Sequence, residues 1–212
     1  NITSIAIPNS VTSIGESAFG DCTSLTDVYY TGTVETWVNM RITPHLGDYK
    51  ALHFLDKYEN EITDIVIPSG VTYIPDYTFY NAKNITSIVI PDSVTSIGYE
   101  SFYGCSSLTG ITISNSVPSI SSSAFAGCSS LANITIPDGV DYISDSAFYD
   151  TAYYNNEENW VDGVLYIGNY LMKARETVSG TYTVRNGTVA IIDNAFRECY
   201  SLTGIVIPNS VT

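Results

Sequence analysis

Apolar side chains recur along this chain at offsets that repeat every 23 residues. Counted from Ile85, they fall at positions 1, 4 and 6 (Ile85, Ile88, Ile90), at 10 and 13 (Val94, Ile97) and at 18 (Phe102), with mostly polar residues between them. Leu108, Ile111, Ile113, Val117, Ile120 and Phe125 repeat the series, as do Leu131, Ile134, Ile136, Val140, Ile143 and Phe148. Positions 4 and 6 point to one side of an extended segment and position 5 to the other, so each unit predicts a short strand with one buried face. Position 7 is proline in five units (Pro8, Pro68, Pro91, Pro137, Pro208), which removes a ladder donor and ends the strand. A second short extended segment is predicted over positions 9 to 13, as in Ser93-Val94-Thr95-Ser96-Ile97. The Ala-Phe-x-x-Cys stretch around position 18 predicts one helical or 3₁₀ turn, too short to persist alone.

Units begin at Ile2, Leu25, Ile62, Ile85, Leu108, Leu131, Tyr154, Ser179 and Leu202. A fixed period of this length marks a solenoid, in which no unit buries its own apolar face and each relies on its neighbours. Each turn offers about six side chains to the axis, each worth about 1.5–3 kcal/mol when buried. Nine turns at roughly 4.8 Å per turn predict a rod on the order of 40 Å long, curved and right-handed, with residues 1–212 as a single unit. The chain starts and stops within a repeat, at Asn1-Ile2 and at Val211-Thr212. It is therefore expected to be a fragment of a longer protein, its open ladders covered by further repeats or by end-to-end self-association.

Two stretches depart from the period. One insertion spans about residues 31–61; within it Thr33–Met40 predicts a helix and Ala51–Leu55 a strand. The other covers about 154–178. There Val164–Ile167 and Tyr170–Lys173 flank Gly168-Asn169, which predicts a two-residue hairpin with a type II′ turn. Insertions in solenoids map to one face and often serve binding.

Charge narrows the classes of partner. The formal net charge is −14, and no Lys or Arg lies between Lys83 and Lys173. Nucleic acid and anionic membrane surfaces both require cations, so neither suits this chain. No run approaches the ~18 apolar residues of a membrane-spanning helix.

Motifs for chemistry are missing where they would be expected. His45 and His53, with Asp48 and Asp56 nearby, match no metal-ligand spacing and read as solvated loop or edge residues. No nucleophile elbow, phosphate loop, zinc-protease motif or EF-hand loop occurs, so no catalytic residue, metal or cofactor is predicted. Cys22, Cys105, Cys128 and Cys199 all occupy position 21, where stacked side chains run parallel and do not face one another; buried free thiols are expected. Asn1, Asn84, Asn133 and Asn186 open N-x-T sequons, and for most of them the repeat alone accounts for the spacing.

The string Ile90-Pro91-Asp92-Ser93-Val94-Thr95-Ser96-Ile97-Gly98, followed by Ser101-Phe102, Cys105 and Leu108-Thr109, resembles the BspA-like leucine-rich repeat family. The irregular segments Val28–Thr33 with Trp37, and Asp162–Tyr166, are similar to it too. The resemblance implies a leucine-rich repeat solenoid in a bacterial surface or secreted protein, a non-catalytic module with adhesion to an extracellular protein or glycan as its role. A rigid spacer presenting another domain is the alternative.

The strand face turned away from the core carries positions 3 and 5, and is the candidate partner surface: Asp64, Val66, Ser87, Val89, Thr112, Asn133 and Thr135. Trp37 and Trp160 are further candidates at the two irregular stretches, with sealing of the core as the competing role for each. The tyrosines around the Ala-Phe turn, among them Tyr77, Tyr80, Tyr99, Tyr103 and Tyr149, form a rival surface.

Overall fold

The computed structural model describes residues 1–15, 17–42 and 51–212, with the side chains of residues 41 and 42 excepted. It is a β-solenoid of about eight turns built mostly from parallel strands. On the first side, Ser4–Ile7, Asp27–Tyr30 and Ala51–Phe54 form one sheet, and Asp64–Val66 pairs with Ser87–Val89. Gly110–Thr112 pairs with Asn133–Thr135, and Gly180–Thr183 with Leu202–Val206. Asp64–Val66, Ser87–Val89 and Gly110–Thr112 are strands because two adjacent β-branched residues occupy each of them, and the two-residue period buries Ile65, Ile88 and Ile111 while leaving Val66, Val89 and Thr112 outside. The second side is a ladder of two-residue strands in which Ile74, Ile97, Ile120 and Ile143 stand in register.

On the third side, where a helical or 3₁₀ turn is predicted, only alternate amides close bonds to the residue three back, and the others reach the next turn. Phe79 N–H donates to Ser101 O and Asn81 N–H to Tyr103 O, each at 2.7 Å, both bonds reaching the next turn. The intervening Tyr80 and Ala82 close turns on their own chain, to Tyr77 O at 3.1 Å and Phe79 O at 3.0 Å. The next unit repeats the alternation, with Phe102 and Gly104 bonding across and Tyr103 and Cys105 bonding back. Positions 16 and 20 make this possible by adopting left-handed backbone, as at Tyr77 (φ 60°), Asn81 (φ 54°), Glu100 (φ 49°) and Gly104 (φ 69°). A helix would turn every amide inward along its own axis. Here half of them supply a third inter-turn ladder.

The core follows the position pattern. Phe79, Phe102, Phe125 and Phe148 are buried and stack face to face, with successive centroids 5.2, 5.0 and 5.3 Å apart. Phe19 and Phe196, at the same position, are only half-buried. The hairpin divides the interior. Leu165, Ile167, Tyr170 and Met172 join the main cluster, and Val164, Leu171 and Ala174 join a second cluster with Val184, Ala195 and Cys199. It is anchored from below: the Tyr170 hydroxyl donates to Pro137 O at 2.7 Å and accepts from Val140 N–H at 3.1 Å.

Both irregular stretches take their predicted elements. A helix, Val34–Val38, is capped by Thr33, whose hydroxyl and backbone exchange bonds with Thr36. The strand Ala51–Phe54 follows. In the second stretch, Val164–Ile167 and Tyr170–Ala174 are antiparallel, and Gly168 has φ 56°, the positive value that the first central position of a type II′ turn demands.

Candidate functional site

The strand face exposes its position 5 side chains. Val66 is 63% and Val89 56% exposed, although both are aliphatic. Beside them Asp64 accepts from the Ser87 hydroxyl at 2.5 Å, so the polar position 3 groups are tied to one another along the ladder. Between Ser87–Val89 and Gly110–Thr112 the sheet is interrupted, and the two strands belong to separate pairs. Ile67 N–H donates to Val89 O at 3.0 Å and Ile113 N–H to Thr135 O at 2.9 Å, but Ile90 makes no corresponding bond to Thr112.

A cavity of about 450 Å³ opens at this interruption, lined by Val89, Gly110, Thr112, Asn133 and Thr135 on its outer side. Gly110 stands where other units carry Asp64, Ser87 or Asn133, and the missing side chain leaves the floor open. At one edge the Ser114 hydroxyl donates to Asp92 at 2.8 Å. Four of the predicted residues (Val89, Thr112, Asn133, Thr135) therefore meet around one hollow, and Asp64, Val66 and Ser87 extend the same face. Gly110 and Ser114 were not among the predicted site residues. Their only sequence signal is a glycine at position 3 and a serine where most units have proline.

The tryptophans part company with this face. Trp37 is 1% exposed, packed against Tyr30 and Phe54 at 4.7 and 5.5 Å, and its indole N–H donates to Thr78 O at 2.6 Å. It is a core residue that seals the insertion, and it is withdrawn as a contact for a partner. Trp160 is half-buried; its indole N–H donates to Tyr154 O at 2.7 Å and the Arg175 guanidinium lies 4.4 Å over its ring. Arg175 is in turn paired with Glu157 at 2.7 Å.

The tyrosine surface is ordered. Tyr80 and Tyr103 stack at 5.2 Å, and Tyr77 meets Tyr99 edge-on at 5.4 Å. Tyr99 is pushed up to about 12 by its hydrogen bond with Glu100, then by burial, so its own hydroxyl stays protonated across neutral pH.

His53 does not face Asp56. It lies on the outer face of its strand, stacked on Tyr29 at 4.7 Å, with Nε2 3.0 Å from Asp27 and Nδ1 2.9 Å from Glu61. Asp56 instead organises its own turn through Tyr58 and Asn60. His45 and Asp48 lie outside the described residues. Among the described residues, no group of three or more His, Cys, Asp or Glu side chains is placed to hold a metal ion. The four cysteines are free thiols, and Cys105 and Cys128 direct their S–H groups to Phe79 O and Phe102 O at 3.2 and 3.1 Å.

Stacked parallel turns, a phenylalanine spine and an exposed strand face define a repeat protein of the solenoid class. The chain belongs to the BspA-type leucine-rich repeat family, whose model matches it in six copies over residues 1–40, 57–179 and 166–212. Repeats of this family are typically non-catalytic scaffolds for protein binding. No curated protein matches the chain at a significant level. Among solved structures, it is similar to a leucine-rich cell surface protein of Faecalibacterium prausnitzii, at 27% identity over 99% of this chain and 56% of that one, with a TM-score of 0.42. A leucine-rich repeat protein of Bacteroides ovatus matches at 21% identity over 100% of this chain and 62% of that one, with a TM-score of 0.47. One of Treponema (T. pallidum) matches at 20% identity over 96% and 69%, with a TM-score of 0.37. The chain thus spans less than two thirds of the first two. Among the described residues no helix is long and apolar enough to cross a membrane.

Proposed function

We propose that this chain is a non-catalytic binding module of an extracellular or cell-surface protein, contacting a host or neighbouring-cell macromolecule through its strand face. The observation that carries the reading is the row of uncharged, exposed side chains running from Val66 through Val89 to Thr112 and Thr135, interrupted by the hollow at Gly110. An aliphatic side chain left in water forgoes about 1.5–3 kcal/mol of burial, which a partner covering Val66 and Val89 would recover. Asp64, Ser87 and Asn133 supply the polar rim that gives such a contact its register. Surface-binding assays against matrix proteins, mucins and glycans test it. Saturable binding that Val89→Arg and Thr135→Arg both weaken is expected, with thermal stability unchanged. Binding that is absent from every surface, or indifferent to both substitutions, would overturn the reading.

A second reading, a rigid spacer that presents another domain, draws on the unbroken stack from Phe79 to Phe148 and the two continuous ladders that accompany it, on the second and third sides. It predicts that the two arginine substitutions leave adhesion by the whole protein untouched.

A further inference from the structure

In the unit that begins at Tyr154, a 3₁₀ turn, Glu157–Asn159, stands where other units place their first strand, and the hairpin follows it. The flanking strands Asn133–Thr135 and Gly180–Thr183 belong to separate sheets. A cavity of about 510 Å³ is formed by the 3₁₀ turn, the hairpin and the strand Gly180–Thr183. Tyr153, Tyr166 and Tyr182 wall it, and Glu158, Asp162 and Arg185 stand at its rim. Its volume lies within the roughly 300–1,000 Å³ of small-ligand sites.

The walls are held in place by the protein itself. The Tyr153 hydroxyl donates to Tyr166 O at 2.8 Å, and the Tyr166 hydroxyl accepts from the Arg185 backbone N–H at 3.2 Å and lies 3.3 Å from the Tyr182 hydroxyl. The Arg185 guanidinium rests 4.4 Å over the Tyr166 ring and donates to Gly168 O, which leaves most of its N–H groups without a partner among the described residues. The carboxylates of Glu158 and Asp162 form no hydrogen bond or ion pair among the described residues. Fixed rings, spare donors and spare acceptors thus converge on one hollow.

Each ligand class meets this set differently. A purely apolar molecule would strip water from two carboxylates and a guanidinium without replacing their bonds. An anion would face both carboxylates on a chain of net charge −14. A cationic side chain would find Tyr166 already covered by Arg185. A sugar ring is complementary: each hydroxyl can accept from Arg185 and donate to Glu158 or Asp162, while its C–H face packs on an aromatic ring. We propose that this pocket binds a neutral saccharide unit of a glycan. The site goes beyond the strand-face contact proposed above and shares no lining residue with the cavity at Gly110.

Saturation-transfer NMR and calorimetry with cellotriose, maltotriose, triacetylchitotriose and N-acetyllactosamine test it, with an oligolysine peptide run in parallel. At least one neutral oligosaccharide is expected to bind at a single site per chain. Arg185→Gln and Asp162→Asn should each weaken it by about tenfold or more, a loss on the scale of one hydrogen bond to a charged group. Asn tolerates the left-handed backbone of Asp162 (φ 52°), and Glu158→Gln gives a second fold-neutral variant at an exposed site. Unchanged melting curves would confirm that the fold survives in each. The proposal is overturned if none of the four sugars binds, if binding ignores all three substitutions, or if only oligolysine binds and loses affinity in Asp162→Asn. Val89→Arg should leave sugar binding intact, so failure of the strand-face reading and of this one are told apart.

Discussion

The indole N–H of Trp37 reaches the backbone carbonyl of Thr78 at 2.6 Å, fastening the helix of the first insertion to a turn 41 residues further along the chain. Both groups are buried, so the bond satisfies a carbonyl that water cannot reach. Trp37→Phe should destabilise the protein by about 1–3 kcal/mol, the usual cost of leaving a buried polar group unpaired, and Trp37→Ala by about 3–5 kcal/mol. Urea unfolding monitored by circular dichroism measures both. Equal stability of Trp37→Phe and wild type would show that Thr78 O finds another partner.

The phenylalanine spine predicts a position-dependent cost. Phe125 is sandwiched between Phe102 and Phe148, so Phe125→Ala removes two ring contacts and leaves a cavity. A loss of about 3–5 kcal/mol is expected. Phe196→Ala, at the same repeat position but half-buried and touched by Tyr182 alone among the described rings, should cost clearly less. The same unfolding titration ranks the two, and the reverse order would refute the role given to stacking.

Thiol reactivity should follow depth. Burial pushes the Cys105 thiol well above its ordinary value, and Cys105 and Cys128 are both fully enclosed, whereas Cys22 is half-exposed. Only the thiolate is nucleophilic, so iodoacetamide on the folded protein should modify Cys22 first and spare Cys105 and Cys128 until denaturant is added. Peptide mapping by mass spectrometry reads the order. Rapid labelling of Cys105 in the native state would mean that the spine opens locally.

Asp27 supplies a pH dependence. The Thr26 hydroxyl, at 2.6 Å, is the main influence holding its carboxyl below the ordinary 3.8; burial opposes it, and His53, at 3.0 Å, adds to the lowering. A depressed folded-state value means that the stabilisation is complete above the unfolded value and disappears as pH falls through the folded one. Asp27→Asn should therefore lower the melting temperature at neutral pH, and the difference from wild type should disappear as pH falls through the depressed folded-state value. A difference that grows in acid would reverse the sign and exclude this account.

The candidate surface was only partly legible from the pattern. Position 3 and 5 residues such as Val66, Val89 and Thr135 could be placed outside because a strand has a period of two, whatever packs behind it. The hollow at Gly110 could not, because it depends on a backbone bond that Ile90 does not make across to Thr112. For Trp37 the sequence favours sealing of the core over contact with a partner, and the residues it seals against, Tyr30, Phe54 and Thr78, are brought around it from separate turns by the fold.

Sequence by itself determined the repeat, its register and which side chains line the axis, since these rest on local spacing that recurs in every unit. It also determined the helix after Thr33 and the turn at Gly168, because capping and positive φ are demands made within a few residues. Only the tertiary structure decided the corner around the phenylalanines, where amides that could have closed a helical turn bond to the next turn instead. The same holds for the tyrosine pocket: Tyr153, Tyr166 and Tyr182 come from three separate segments, and what unites them is a strand missing from one turn of the stack. A gap of that kind depends on neighbouring turns lying beside one another, and no single unit encodes it.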